Sequence, residues 1–139
     1  MKSYQERPLL VEWVTLQNQF DAFEKCSLAI KLVAILVTAL LIFKVENPFI
    51  IVLLNGVFWT QDAIWKTVQS RFADRLLIIE GELLNSASND HIQFNTAWAA
   101  KPRGFTVLVM EYFGHSVKPT VAFPHCVLVC VGVYMSFVV

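Results

Sequence analysis

The chain has 139 residues, enough for one domain, and is 56% hydrophobic but only 16% charged, with a mean hydropathy of +0.56. Soluble domains carry about 25% charged residues because their surface must be wetted, so much of this surface meets something other than water. Eleven basic residues balance eleven acidic ones, which removes the basic field that nucleic-acid binding needs, and the odd set Cys26, Cys126 and Cys130 argues against a secreted disulfide framework.

These cysteines lie in or beside apolar stretches and read as small packing residues. The N-terminus lacks the pattern of a cleavable leader. Glu6, Glu12, Asp21 and Glu24 precede the first long apolar run, and no small-residue cleavage site follows it. That run is therefore expected to stay in the protein.

Residues 1–25 are expected to form an amphipathic helix. Pro8 suits a helix start, and Leu9, Trp13, Leu16, Phe20 and Phe23 recur at helical steps, with Glu12, Gln19 and Asp21 on other faces. The stripe could lie in the membrane interface or form a seam with a partner. Interfacial helices carry a Lys/Arg-rich polar face, and this one is acidic, which favours packing on the protein's own second helix.

Residues 27–45 supply the first span, since a bilayer core takes about 20 apolar residues. Lys44 falls at the hairpin end, and Lys31, near the cytosolic end, is expected to snorkel its ammonium to the headgroups. Asn47-Pro48 makes a tight turn, so the first two spans are antiparallel neighbours. The run from Phe49 to Thr60 is too short to cross alone. It crosses only if residues 61–65 continue the helix into the far interface, with Trp59 and Trp65 in the aromatic belt. Asn55-Gly56 in mid-span offers a close helix approach and an interhelical hydrogen bond.

No breaker follows. Ile64, Val68, Phe72, Leu76, Ile79 and Leu83 continue one stripe, with Lys66, Arg71, Asp74 and Glu80 mainly off it. Residues 48–84 are thus expected to form one helix of about 55 Å, far longer than the membrane is thick. Its protruding stripe must be buried, by the N-terminal stripe or by neighbouring subunits.

Residues 85–118 form a cytosolic connection. The polar stretch 85–95 reads as a loop, Thr96–Ala100 as a short helix stopped by Pro102 and Gly104, and Phe105–Phe113 as an interfacial or oligomer-facing helix, periodicity alone leaving a strand open. Residues 120–139 carry no charge and form the third span, with Pro124 in its first turns or producing a kink. The fold class is therefore an all-α membrane protein with about three transmembrane helices, an N-terminal amphipathic helix and a long second helix extending into the cytosol. Basic residues gather in the N-terminal segment and between spans two and three, which predicts a cytosolic N-terminus and an external C-terminus.

Candidate chemistry is sparse. Asp62 at a membrane boundary is costly and therefore of interest. Lys66, four positions on, offers it a structural ion pair, favoured over a proton or ion pathway. Glu111, His115, His125 and Cys126 have no zinc-motif spacing. Lys101-Pro102-Arg103 could touch anionic headgroups or be solvated. No nucleophile motif or phosphate loop is present, so no catalytic residue, cofactor or metal is expected.

Phe58-Trp59-Thr60-Gln61-Asp62-Ala63, followed by Gln69 and Phe72, resembles the FWxxDA pattern of small bacterial inner-membrane proteins described as RipA-type octameric membrane proteins. The aromatic-rich stretch from Trp98 to Phe113 is also similar. The chain departs from that pattern at Gln69, where the family has glutamate, and through Ser70, Ala73 and Asp74. The resemblance implies a homo-oligomer in the bacterial inner membrane with no enzymatic activity to carry over.

The functional expectation is a non-enzymatic, ring-like homo-oligomer with a structural or membrane-organising role, in contact with membrane lipids. The alternatives are an ion-conducting pore or membrane-disrupting effector, lined by Thr38, Asn55, Gln61 and Asp62, and an accessory subunit meeting another membrane protein. The expected packing and oligomer interface comprises Leu9, Trp13, Leu16, Phe20, Asn55, Gly56, Trp59, Asp62, Val68, Phe72 and Leu76.

Overall fold

The computed structural model of the chain describes residues 6–44, 47–85 and 104–138. The expected loop beyond residue 85, the short helix over Thr96–Ala100 and the Lys101-Pro102-Arg103 cluster lie outside the described residues. The fold is all-α, with four helices among the described residues: α1 (Glu6–Ile42), α2 (Phe49–Asn85), α3 (Phe105–Ser116) and α4 (Pro119–Val138).

The N-terminal amphipathic helix and the first span, expected as separate units, are one continuous helix. Nothing between residues 9 and 43 breaks it, because that stretch contains neither glycine nor proline. Two of the four helices, Pro8–Ile42 and Pro119–Val138, are long and apolar enough to cross a membrane, and only 17% of the most apolar stretch of each is buried. A core helix of a soluble protein would be mostly buried there, so this apolar surface faces outward. In α2, Asn55, Gln61 and Asp62 interrupt the apolar half, so length and composition alone do not make it a span.

The turn between α1 and α2 is capped as its residues demand. Asn47 Oδ1 accepts the Phe49 amide at 3.1 Å, satisfying a donor that the first helical turn leaves open. Pro48 follows where its missing N–H costs nothing. The two helices then run antiparallel along their length. Beyond the apolar half, Leu9 and Leu16 of α1 are buried against Leu76 and Ile79 of α2, flanked by Trp13, Phe20, Phe72 and Leu83. The two stripes therefore bury each other, and Leu9, Trp13, Leu16, Phe20, Phe72 and Leu76 serve packing within the chain. Above this core Trp13 donates its indole N–H to Glu80 at 3.0 Å. Glu12 and Arg75 form a buried bidentate pair at 2.9 and 3.2 Å, the planar geometry that Arg and carboxylate share.

α3 is helical, which resolves the choice between helix and strand. It lies on α2 through its polar side. Arg71 Nη2 contacts Glu111 at 2.8 Å, and Trp59 donates to the Ser116 carbonyl at 3.0 Å. Phe105, Met110 and Phe113 point away and are exposed. α4 is broken at Phe123, whose ψ of 130° is non-helical, the conformation that a following proline enforces. Pro124 thus kinks this helix.

Close helix approach falls elsewhere than expected. An added Cβ at Gly56 would meet nothing within 4 Å, whereas one at Gly132 would sit 3.0 Å from the γ-methyls of Ile51 and Val52 and 3.2 Å from the Val52 amide nitrogen. Gly132 is a close contact of α4 on α2, and a side chain there requires its neighbours to give by a few tenths of an ångström.

Two substitutions probe the two halves. Ile79→Ala, at a fully buried site, should destabilise the hairpin by about 3 kcal/mol in reversible unfolding. Gly132→Ala should lower the thermal midpoint while leaving helical circular dichroism unchanged; an unaltered midpoint would contradict the close α2–α4 contact.

Candidate functional site

The polar groups of the apolar half converge on one point. Ser27 and Lys31 lie one turn apart on α1, Asp62 comes from α2, and Thr120 and His125 from α4. The antiparallel hairpin sets the start of the first apolar run level with the end of the second. α4 begins at the same level, so residues far apart in sequence share one depth.

Asp62 is fully buried at the centre. Ser27 Oγ donates to its Oδ1. Its Oδ2 faces Lys31 Nζ at 3.3 Å and His125 Nε2 at 3.6 Å. An unpaired carboxylate in such surroundings would cost several kcal/mol, and the ammonium beside it supplies the countercharge. Lys31 also donates to the Thr120 carbonyl at 2.6 Å and lies 3.3 Å from Ser27 Oγ.

The availability of the Thr120 carbonyl has a chemical origin. In a regular helix it would accept from the amide four residues on, but that residue is Pro124, which has no N–H. The proline leaves an acceptor open at the depth of Lys31, and the ammonium fills it. His125 is also fully buried, stacked on Trp59 with ring centroids 6.4 Å apart, and neither ring nitrogen has a hydrogen-bond partner among the described residues. An unsatisfied imidazole beside a carboxylate is a polar reserve in an otherwise apolar wall.

Deeper in the apolar half, Asn55 donates to Thr38 Oγ1 at 2.8 Å and to the Ile51 carbonyl at 2.9 Å. This is an interhelical bond as expected, made to α1 of the same chain. Asp62 and Asn55 are thus occupied inside the chain, and Trp59 holds the end of α3. Val68 is partly buried.

Several expected pairings differ. Lys66 does not meet Asp62. It contacts Gln69 Oε1 at 2.8 Å and Glu24 at 3.6 Å, because Asp62 faces α1 and α4 at the three-helix junction while Lys66 lies toward the outer side of α1. Lys31 does not snorkel freely but turns inward to Asp62, where a countercharge and a carbonyl outweigh hydration. Glu111 is taken by Arg71. Burial first and Lys118 second hold the His115 imidazole below the ordinary histidine range, which keeps it neutral near pH 7. The cysteines are free, and Cys26 and Cys130 are exposed where packing was expected. Among the described residues no group of three or more His, Cys, Asp or Glu side chains converges to hold a metal ion.

Lys31, Ser27, Thr120 and His125 were not expected to join Asp62. The available signal was two opposite charges in successive apolar runs, each near the same end of an antiparallel pair. Comparison of the chain with protein-family models, with curated proteins and with solved structures returns no match.

The ion cluster makes a direct prediction. Asp62→Asn leaves the Lys31 ammonium half-sequestered without a countercharge and should destabilise the protein by about 3 kcal/mol. Lys31→Met should cost a similar amount, and combining it with Asp62→Leu should recover most of the loss. Additive effects of the two sites in a thermal-unfolding cycle would contradict direct coupling.

Proposed function

We propose that the chain is a non-enzymatic integral membrane protein that assembles into a homo-oligomer with a structural, membrane-organising role. In this reading three segments cross the bilayer: the second half of α1, the first half of α2 and α4. The Asp62 cluster lies near the cytosolic boundary, the N-terminus is cytosolic and the C-terminus external, as in a bacterial inner membrane. Outward-facing apolar surface on α1 and α4 supports the membrane location. The Asn55 amide N–H groups donated to Thr38 and the Ile51 carbonyl, and the charge of Asp62 matched by Lys31, support placing α2 in apolar surroundings, where each uncompensated polar group is expensive.

The observation that carries assembly is on the extramembrane half of the hairpin. Even with the two main stripes packed together, Leu10, Val11 and Val14 of α1 and Leu77 and Ile78 of α2 remain exposed. These residues lie more than about 15 Å along the helix beyond Asp62 at 1.5 Å per residue, out of reach of the hydrocarbon core. Apolar surface of this kind facing water marks an interface. A groove of about 440 Å³ lined by Leu10, Trp13, Glu80 and Leu83 opens beside it. The RipA-type resemblance of residues 58–63 points to the same assembly. In this assembly α3 lies in the headgroup plane, its polar side on α2 and its apolar side toward acyl chains.

A pore is less well supported. Thr38, Asn55 and Asp62 are engaged within the chain, so a conducting path would have to run between copies.

Native mass spectrometry in mild detergent should give a defined multimer, and Leu77→Glu with Val11→Glu should reduce it to monomer without loss of helicity. A wild-type protein that is wholly monomeric would overturn the assembly. Recovery of a stoichiometric second protein instead would favour the accessory-subunit reading.

A further inference from the structure

Beside the ion cluster a cleft of about 310 Å³ opens between α1, the middle of α2 and the first turn of α4, at the level where the apolar half of α1 begins. Lys25, Lys31 and Lys66 line it, with Glu24, Ser27 and Leu28, and Thr120 closes the α4 side. Lys31 is matched by Asp62 behind the cleft and Lys66 reaches Glu24 at 3.6 Å. Lys25 makes no ion pair with any carboxylate among the described residues. Three ammoniums against two carboxylates leave one positive charge uncompensated in a cleft whose floor is apolar.

That charge balance selects a monoanion. Phosphate diesters carry one negative charge and accept from several ammonium groups at once, and lysines close to a membrane attract anionic headgroups. The surface below the cleft adds a second requirement. Leu28, Leu32, Ile35 and Leu36 follow at helical spacing on the same side of α1, and all are exposed. They form an apolar track leading from the lysines toward the middle of the span. A soluble anion would use the lysines and leave the track bare, whereas a phospholipid uses both.

We propose that this cleft binds the phosphodiester of one anionic phospholipid per chain, with an acyl chain laid along Leu28, Leu32 and Leu36. The site rests on the membrane-spanning reading but does not depend on assembly. Lys25 and Lys66 hold the phosphate, and Lys31 adds its charge from the Asp62 pair.

Native mass spectrometry of the full chain in detergent, with phosphatidylglycerol, phosphatidylcholine or inorganic phosphate added, tests the site. One phosphatidylglycerol should be retained per chain, in preference to phosphatidylcholine. Lys25→Gln with Lys66→Gln removes both ammonium contacts and should weaken retention by at least about tenfold. Lys44→Gln, at the far end of α1, should leave it unchanged. Leu32→Gln should weaken retention without altering charge, and thermal midpoints of all variants identify any that fail to fold. Equal retention of the two lipids, insensitivity to the lysine pair, or full displacement by inorganic phosphate would overturn the site. A chain that shows any of these yet still needs detergent for extraction keeps its spans, so the two failures are distinguishable.

Discussion

An ionised acid in an apolar junction constrains everything packed around it. Asp62 has to be matched by a positive charge and by hydrogen-bond donors, and Lys31 is the lysine of the first apolar run that lies at its depth. Apolar contacts alone discriminate poorly among registers in a lipid environment, since a slid helix trades leucine for leucine. The contact between Asp62 and Lys31 at 3.3 Å favours one register. It sets the depth of α1 against α2, and through Lys31 and the Thr120 carbonyl it sets α4 as well.

Proline chemistry supplies the third corner. Because Pro124 lacks an N–H, α4 cannot close its first turns, and the carbonyl left open becomes a ligand for the same ammonium. A helix break that would be a defect in isolation becomes a docking point at the one depth where a donor waits. Gly132 then allows α4 to settle on Ile51 and Val52 of α2 further along. Charge, carbonyl and glycine together locate the last helix.

The other half of the hairpin follows different physics. There Leu9, Leu16, Leu76 and Ile79 form a small apolar core, and apolar burial drives their packing. Glu12 and Arg75 are buried beside it in a bidentate pair, so the two helices are registered by ion pairs in both halves of the hairpin. The apolar residues left over, from Leu10 to Val14 and at Leu77 and Ile78, are then the surface that a further chain can cover. At the junction Lys25 lines the cleft beside Lys31 and Lys66 and makes no ion pair among the described residues.

Composition and periodicity alone determined the helical class, the outward apolar surface, the tight turn at Asn47-Pro48, the extent of α2 and the helical stripes that pack on one another. Those features depend on local rules: apolar length, helical spacing, proline and asparagine at a cap. The separate N-terminal helix was misread because a change from polar to apolar residues looks like a boundary, yet backbone continuity needs only the absence of glycine and proline. Asp62 was legible as an exception, but its partner was not. A helical i, i+4 rule favours Lys66, and only the packing of three helices at one depth brings Lys31, Ser27 and His125 to it across gaps of 31, 35 and 63 residues. Tertiary structure decided the site because ion pairing between helices depends on relative height, and that height is a property of the turn, the kink at Pro124 and the contact at Gly132 acting together.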